Sequence, residues 1–317
     1  MRNLLLLLFS ALLLFTGCSS HKKPQKKVRL LLDWWANPNH IALYAGLKKG
    51  IFEKHGIDLE IINLQDPPDA LMYLLSGNVE ISLYYLPLCL RVFEKTKNFR
   101  VIGKLIDKPL YTLMAREDAG ISSFQDFSGK TIGHFGDTLS KAAFDALEND
   151  YNVSFKEKRV LSFDPSTALY TKAIDLISGV YWNIEMYQLE ENGVKVKCFK
   201  WEDFNFPSYP ELVFVAKDDF IKNSPKMVKA FQEALAETIS FAKANKEEAY
   251  LLYESAFNEK KLPWEKKAWE VTAPLLAQDQ KLNRKRLTNI YSWLAERDLF
   301  RGSFDPQELI DTRAIPK

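Results

Sequence analysis

Asp33-Trp34-Trp35-Ala36-Asn37-Pro38-Asn39-His40 sets two indoles, a carboxylate, two amides and an imidazole within eight residues. An indole face binds a flat heterocycle by stacking, and amide and imidazole groups add directional hydrogen bonds. Asp33, Trp34, Asn39 and His40 therefore form one candidate half-site. Trp35 turns to the opposite face if strand alternation persists, which gives it a structural role. Asn39 also suits the N-cap of the helical pattern that follows.

A second constellation is Tyr181-Trp182-Asn183-Ile184-Glu185. A carboxylate at a pocket edge accepts two parallel N–H bonds from an amidine-like edge, the arrangement in an aminopyrimidine. Glu185 equally suits a first helical turn, where the dipole favours an acid. Tyr181 or Trp182 offers a stacking face and Asn183 an amide. Tyr84 and Tyr85 end another strand, where alternation sends one ring to the core without saying which. Gly133 to Thr138 precedes a helix expected near Ser140. Asp137 would repel an anion there, so a neutral or cationic group, or an ordinary cap by Asp137 or Thr138, fits better.

Signatures of common enzyme classes are missing: no phosphate-binding glycine loop, no Gly-x-Ser-x-Gly, no His-Glu-x-x-His and no Cys-x-x-Cys. The four histidines leave only His40 and His134 in a loop context. No metal or cofactor is expected. The chain has 47% hydrophobic residues, a formal charge of +2 and a pI near 8.2, with no concentrated basic stripe for nucleic acid.

Short apolar runs alternate with helical patterns from Val28 to Trp201, the mark of α/β units with mostly parallel strands. Val28 to Trp34 reads as the first strand and Asp58 to Leu64 as the second. Asp66-Pro67-Pro68 opens a helix before a strand from Glu80 to Leu86. This unit recurs at Ser162-Phe163-Asp164-Pro165, followed by a helix near Ser166 and a strand from Leu176 to Trp182. Each copy ends in an aromatic pair, Tyr84-Tyr85 and Tyr181-Trp182, so two similar lobes with facing strand ends are expected to hold a ligand between them. Residues 28–115 and 212–317 are assigned to the first lobe and 116–211 to the second. The helical tail beyond Pro225 is expected on the first lobe, with Trp264, Trp269 and Trp293 in its core.

Met1 to Cys18 reads as a secretory signal peptide, because its apolar run of about a dozen residues falls short of the roughly 20 needed to span a membrane. Thr16-Gly17-Cys18 resembles the bacterial lipobox, with Phe15 where that motif usually has leucine, which makes Cys18 the lipidated residue. Residues 19–27 form a solvated, lysine-rich tether. Cys89 and Cys198 fall in different lobes and are expected as unpaired, buried thiols.

Leu32-Asp33-Trp34 with Asn37-Pro38-Asn39-His40, Lys49-Gly50-Ile51-Phe52, Gly56 to Glu60, Ser128 to Gly133 and Gly179-Val180-Tyr181-Trp182-Asn183-Ile184-Glu185 carry a resemblance over nearly the whole mature chain. It resembles the thiamine-pyrimidine group of ABC-importer solute-binding proteins, the NMT1/THI5-like family. The resemblance implies an α/β, two-lobed periplasmic-binding-protein fold of type II with a helical C-terminal extension on the first lobe. It also implies a non-enzymatic role: capture of a formyl- or hydroxymethyl-aminopyrimidine and delivery to an ABC permease with its ATPase. In that setting Trp34 and Tyr181 or Trp182 sandwich the ring, Glu185 pairs with its amino edge, and Asp33, Asn39 and His40 orient it. The expected location is the outer face of the cell envelope, lipid-anchored.

The chain departs from the related synthases in two places. Phe206 to Glu211 has no cysteine, and Gly136-Asp137-Thr138-Leu139-Ser140 replaces a Gly-Glu-Phe-Gly-Lys phosphate loop. The alternatives are a pyrimidine synthase that consumes His40 with pyridoxal phosphate, or a binder of sulfonate, nitrate or riboflavin.

Overall fold

The computed structural model describes residues 26–64, 69–161, 165–258 and 262–310. The leader, Cys18, the tether to residue 25, Asp66-Pro67-Pro68 and Ser162-Phe163-Asp164 lie outside the described residues. Lys26 and Lys27, expected in the tether, begin the first strand.

Strands β1 (Lys26–Leu31), β2 (Ile57–Ile62), β3 (Ile81–Tyr85) and β4 (Phe99–Ile106) precede the first crossing between lobes. After it come β5 (Tyr111–Arg116), β6 (Thr131–His134), β7 (Glu157–Val160), β8 (Leu176–Tyr181) and β9 (Val196–Lys200), and β10 (Leu212–Lys217) follows the return. The sheet orders are β2-β1-β3-β10-β4 and β7-β6-β8-β5-β9. In each sheet three strands run parallel, β1, β2 and β3 in one and β6, β7 and β8 in the other, and the strand that directly follows a crossing, β10 or β5, inserts antiparallel between the last of them and the edge strand. The repeat in the sequence is thus a repeat of sheet topology.

The expected boundary at residue 115 is corrected. Tyr111–Arg116 pairs with β8 and β9, so the first crossing lies between Ile106 and Tyr111. An apolar run records burial but not which sheet receives it. The expected first strand is also shortened, because β1 ends at Leu31 and residues 33–36 form bends.

Helix 225–244 packs on helix 41–48, where a Cβ at Gly46 would collide with the Thr238 side chain. Helices 246–254, 263–272 and 284–295 complete the tail. Trp264, Trp269 and Trp293 are buried, as helical spacing predicts. The tail also reaches the second lobe: Trp264 joins Ile184 in one apolar cluster, and Trp293 stands 4.2 Å from Phe206. Residues of both lobes, among them Phe93, Phe99, Phe127 and Phe199, share a continuous core.

Candidate functional site between the lobes

The chain leaving β1 is held by its own polar groups. Asn37, not Asn39, caps the short helix Pro38–His40, its side-chain oxygen accepting the Asn39 N–H at 2.9 Å. The Asn37 N–H donates to His40 Nδ1 at 3.1 Å, so the ring's proton sits on Nε2 and donates to Asp33 Oδ1 at 2.8 Å. His40 is fully buried and Asp33 nearly so, and the pair braces the loop. These two groups, expected to orient a ligand, are spent on each other. A sealed His40 with both nitrogens engaged would have to leave Asp33 and the Asn37 N–H before it could serve as a ring donor beside pyridoxal phosphate.

Capping by Asn37 frees Asn39 to reach across the cleft. Asn183 Nδ2 donates to Asn39 Oδ1 at 2.7 Å and also lies 2.7 Å from the Thr272 hydroxyl. First lobe, second lobe and tail therefore meet at one buried amide. Asn39 Nδ2 and Asn183 Oδ1 have no hydrogen-bond partner there, leaving one donor and one acceptor uncommitted in the interface.

Trp34 and Trp35 are 47% and 45% exposed, with ring centroids 4.5 Å apart at 73°. Both line a cavity of about 320 Å³ with Leu32, Ile62, Leu64 and Phe257. The structural role expected of Trp35 is corrected: strand alternation stops at Leu31, and both indoles face the same space. Trp34 opens onto this first-lobe cavity while Tyr181 faces Tyr85 and Tyr111, so the two expected stacking faces look onto different surfaces.

The aromatic pairs resolve one ring at a time. The Tyr84 hydroxyl donates to the Asp69 carboxylate, the cap of helix 70–75, at 2.6 Å. Tyr85 turns to the cleft, its hydroxyl 3.4 Å from the Asp33 carbonyl and its ring 6.4 Å from Tyr181. Trp182 is covered by Lys200, whose Nζ lies 4.0 Å from the ring centroid, and its indole N–H points to the Pro109 carbonyl at 3.4 Å. Tyr181 is thus the cleft-facing member of its pair.

What aims Tyr181 is a bulge. Thr112 pairs with Val180 and Leu113 with Ser178, so Gly179 is the extra residue, at φ 87°. A Cβ there would lie 3.1 Å from Phe135.

Glu185 opens helix 185–191, and its Oε2 accepts the Tyr181 N–H at 2.8 Å. The surrounding protein removes enough solvation to raise its carboxyl to about 7, against two stabilising backbone N–H groups. Burial also pushes the Tyr85, Tyr111 and Tyr181 phenols well up, so all three are neutral donors. Asp137 caps helix 138–150 by accepting the Ser140 N–H at 2.8 Å, one of the roles its sequence position suggested.

Sequence reasoning missed Tyr111, Tyr209, Glu211 and Thr272. Glu211 had a signal: an acid directly before the apolar run of β10 must be paired or exposed. It is fully buried, accepting Leu110 N–H at 2.9 Å and the Tyr209 hydroxyl at 3.1 Å. Cys89 and Cys198 are free thiols, but only Cys89 is buried. Among the described residues no cluster of His, Cys, Asp and Glu suits a metal, and no helix is long and apolar enough to cross a membrane.

The chain is similar to known proteins in both sequence and fold. It is 28% identical over 280 residues to a Haemophilus influenzae protein named for thiamine biosynthesis, covering 87% of this chain and 88% of that one. The formylaminopyrimidine-binding protein of Halalkalibacterium halodurans is 25% identical, covering 74% and 72%. A Candida albicans relative, 28% identical over 72% of this chain and 70% of its own, is named 4-amino-5-hydroxymethyl-2-methylpyrimidine phosphate synthase. That name overturns the expectation of a non-enzymatic role, because relatives this similar include enzymes. The structure superposes on the periplasmic aliphatic sulphonate binding protein of Escherichia coli with a TM-score of 0.71 at 12% identity, covering 91% and 98%. It also matches a Candida albicans protein with the generic periplasmic binding protein fold at a TM-score of 0.68 and 13% identity, covering 92% and 98%. The fold is therefore the two-lobed α/β fold of periplasmic binding proteins. The family description "NMT1/THI5 like" matches residues 37–249, two-thirds of the sequence, and the chain belongs to that family.

Proposed function

We propose that the chain is a solute-binding protein that closes its lobes on a 4-aminopyrimidine precursor of thiamine and delivers it to an ABC permease. The observation that supports it is Glu185, which opens helix 185–191, accepts the N–H of the cleft-facing Tyr181 at 2.8 Å, and has its carboxyl raised to about 7 by burial. A carboxyl so poised matches an amidine edge in either state. Protonated, it donates O–H to the ring nitrogen and accepts from the exocyclic amine; ionised, it accepts from the amine and from a protonated ring nitrogen. Tyr85 and Tyr181 supply apolar ring surface, and the Trp34–Trp35 cavity offers a further stacking face at the first-lobe rim. Relatives named for formylaminopyrimidine binding and for hydroxymethylpyrimidine phosphate synthesis concern the same ring.

Opening about the two crossings would bare this wall, and closure would seal it over the ring. Lipidation of Cys18 would hold the protein on the outer face of the cell envelope, where a permease is within reach. The test is calorimetry with 4-amino-5-hydroxymethyl-2-methylpyrimidine and its formylaminomethyl counterpart, against taurine, nitrate and riboflavin. Binding confined to the pyrimidines is expected; heat only with another solute rejects the ligand assignment.

The synthase-named relatives support a second reading, pyrimidine formation in the same cleft. Mass spectrometry of the purified protein incubated with pyridoxal phosphate and no added pyrimidine separates the two, since only the second produces a new pyrimidine.

A further inference from the structure

The two crossings are tied to each other through one peptide and one carboxylate. Leu110, on the first crossing, donates its N–H to Glu211 at 2.9 Å and accepts the Trp182 N–H on its carbonyl at 3.2 Å. Glu211, on the return crossing, accepts the Leu86 N–H on its own carbonyl at 3.2 Å. Trp182 follows Tyr181, and Leu86 follows Tyr85. The chain Leu86–Glu211–Leu110–Trp182 therefore joins the strand exits that carry the two cleft-facing tyrosines. The Glu211 carboxylate also takes the Tyr209 hydroxyl at 3.1 Å, and the Tyr181 hydroxyl lies 3.4 Å from its Oε1, a long contact. Nothing in a simple crossing requires a carboxylate at this place. A fully buried acid costs solvation free energy that an amide or an apolar side chain would not. Its partners are backbone and phenol groups rather than a cation, and burial raises its carboxyl to about 7.

We infer that Glu211 is a positioning residue for the cleft: it clasps the two lobe crossings together and fixes the strand exits that carry Tyr85 and Tyr181 relative to each other. Glu211 does not touch the ring itself, so it acts on how long the lobes stay shut and not on which ring they choose. Only the ligand-based part of the test rests on the pyrimidine reading.

Stopped-flow tryptophan fluorescence with 4-amino-5-hydroxymethyl-2-methylpyrimidine measures the first part on the full chain. Glu211→Ala is expected to raise the dissociation rate by about tenfold or more, with the affinity ratio between the hydroxymethyl and formylaminomethyl pyrimidines unchanged. Glu211→Gln keeps an oxygen acceptor for the Leu110 N–H and is expected to return the rate to within about threefold of the parent. An unchanged rate in Glu211→Ala, or a changed pyrimidine preference, overturns the inference. Should Glu211→Ala fail to fold, Tyr209→Phe removes the hydroxyl that Glu211 accepts at 3.1 Å without altering a cleft-facing side chain; a faster release supports the clasp and an unchanged one overturns it.

The second part needs no ligand. Nitroxide labels at exposed Asn78 and Lys156, one on each lobe, report the interlobe distance by pulsed electron resonance. Glu211→Ala is expected to broaden that distribution and Glu211→Gln to narrow it again, and an unaltered distribution overturns the clasp. Failure of the parent protein to bind any pyrimidine rejects the function proposed above, and the label distances then decide the clasp by themselves.

Discussion

At the residue scale, the cleft is unusual in holding two carboxyls at about 7 against an ordinary 4.5, Glu185 and Glu211. The folded chain keeps protons there that the unfolded chain has released, so these groups withdraw stability as pH rises from about 4.5 through about 7. His134, depressed from 6.5 by burial, runs the other way and withdraws stability as pH falls through that value. Melting temperature followed from pH 5 to 8 is therefore expected to fall more steeply for the parent than for Glu211→Gln. Equal slopes would contradict the buried-acid account. Residue roles were the least legible part of the sequence. Asp33 and His40 have the right chemistry for a ligand, yet the N–H of Asn37 fixes the tautomer that turns His40 onto Asp33. That backbone contact depends on a three-residue turn whose shape composition does not encode.

At the element scale, the bulge at Gly179 decides where β8 delivers Tyr181. Gly179→Ala forces an L side chain to φ 87° and against Phe135, and is expected to destabilise the fold by about 1–2 kcal/mol in urea unfolding. Pyrimidine affinity should fall with it, because the alternative register turns Tyr181 away from Tyr85. A neutral substitution would show that the bulge is incidental. The repeat of strand, helix and strand ending in aromatics was legible because burial imposes a period that residues cannot hide. The partner of each strand was not: Tyr111–Arg116 reads as apolar in either sheet, and only the antiparallel ladders with β8 and β9 place it. The turn after β1 was misread for a related reason, since Leu32 extends the apolar run one residue past the last strand pairing.

At the scale of the whole molecule, two sheets of matching topology are joined by the crossings, and the Asn39–Asn183–Thr272 bridge ties both lobes to the tail. The two-lobed fold and the family were readable because spaced motifs from both lobes, not one local pattern, carried them. The proposed lipid anchor is tested at Cys18: Cys18→Ala is expected to move the protein from the membrane to the soluble envelope fraction, and continued attachment would refute lipidation. The proposed function rests on Glu185 reading the amino edge of a pyrimidine. Its most direct measurement is a calorimetric double cycle, pairing parent and Glu185→Gln with 4-amino-5-hydroxymethyl-2-methylpyrimidine and the same ring lacking the 4-amino group. The parent should prefer the amino compound by about 1.5–3 kcal/mol, the range of a charged hydrogen bond, and Glu185→Gln should lose most of that preference. An equal preference in both proteins would contradict the account.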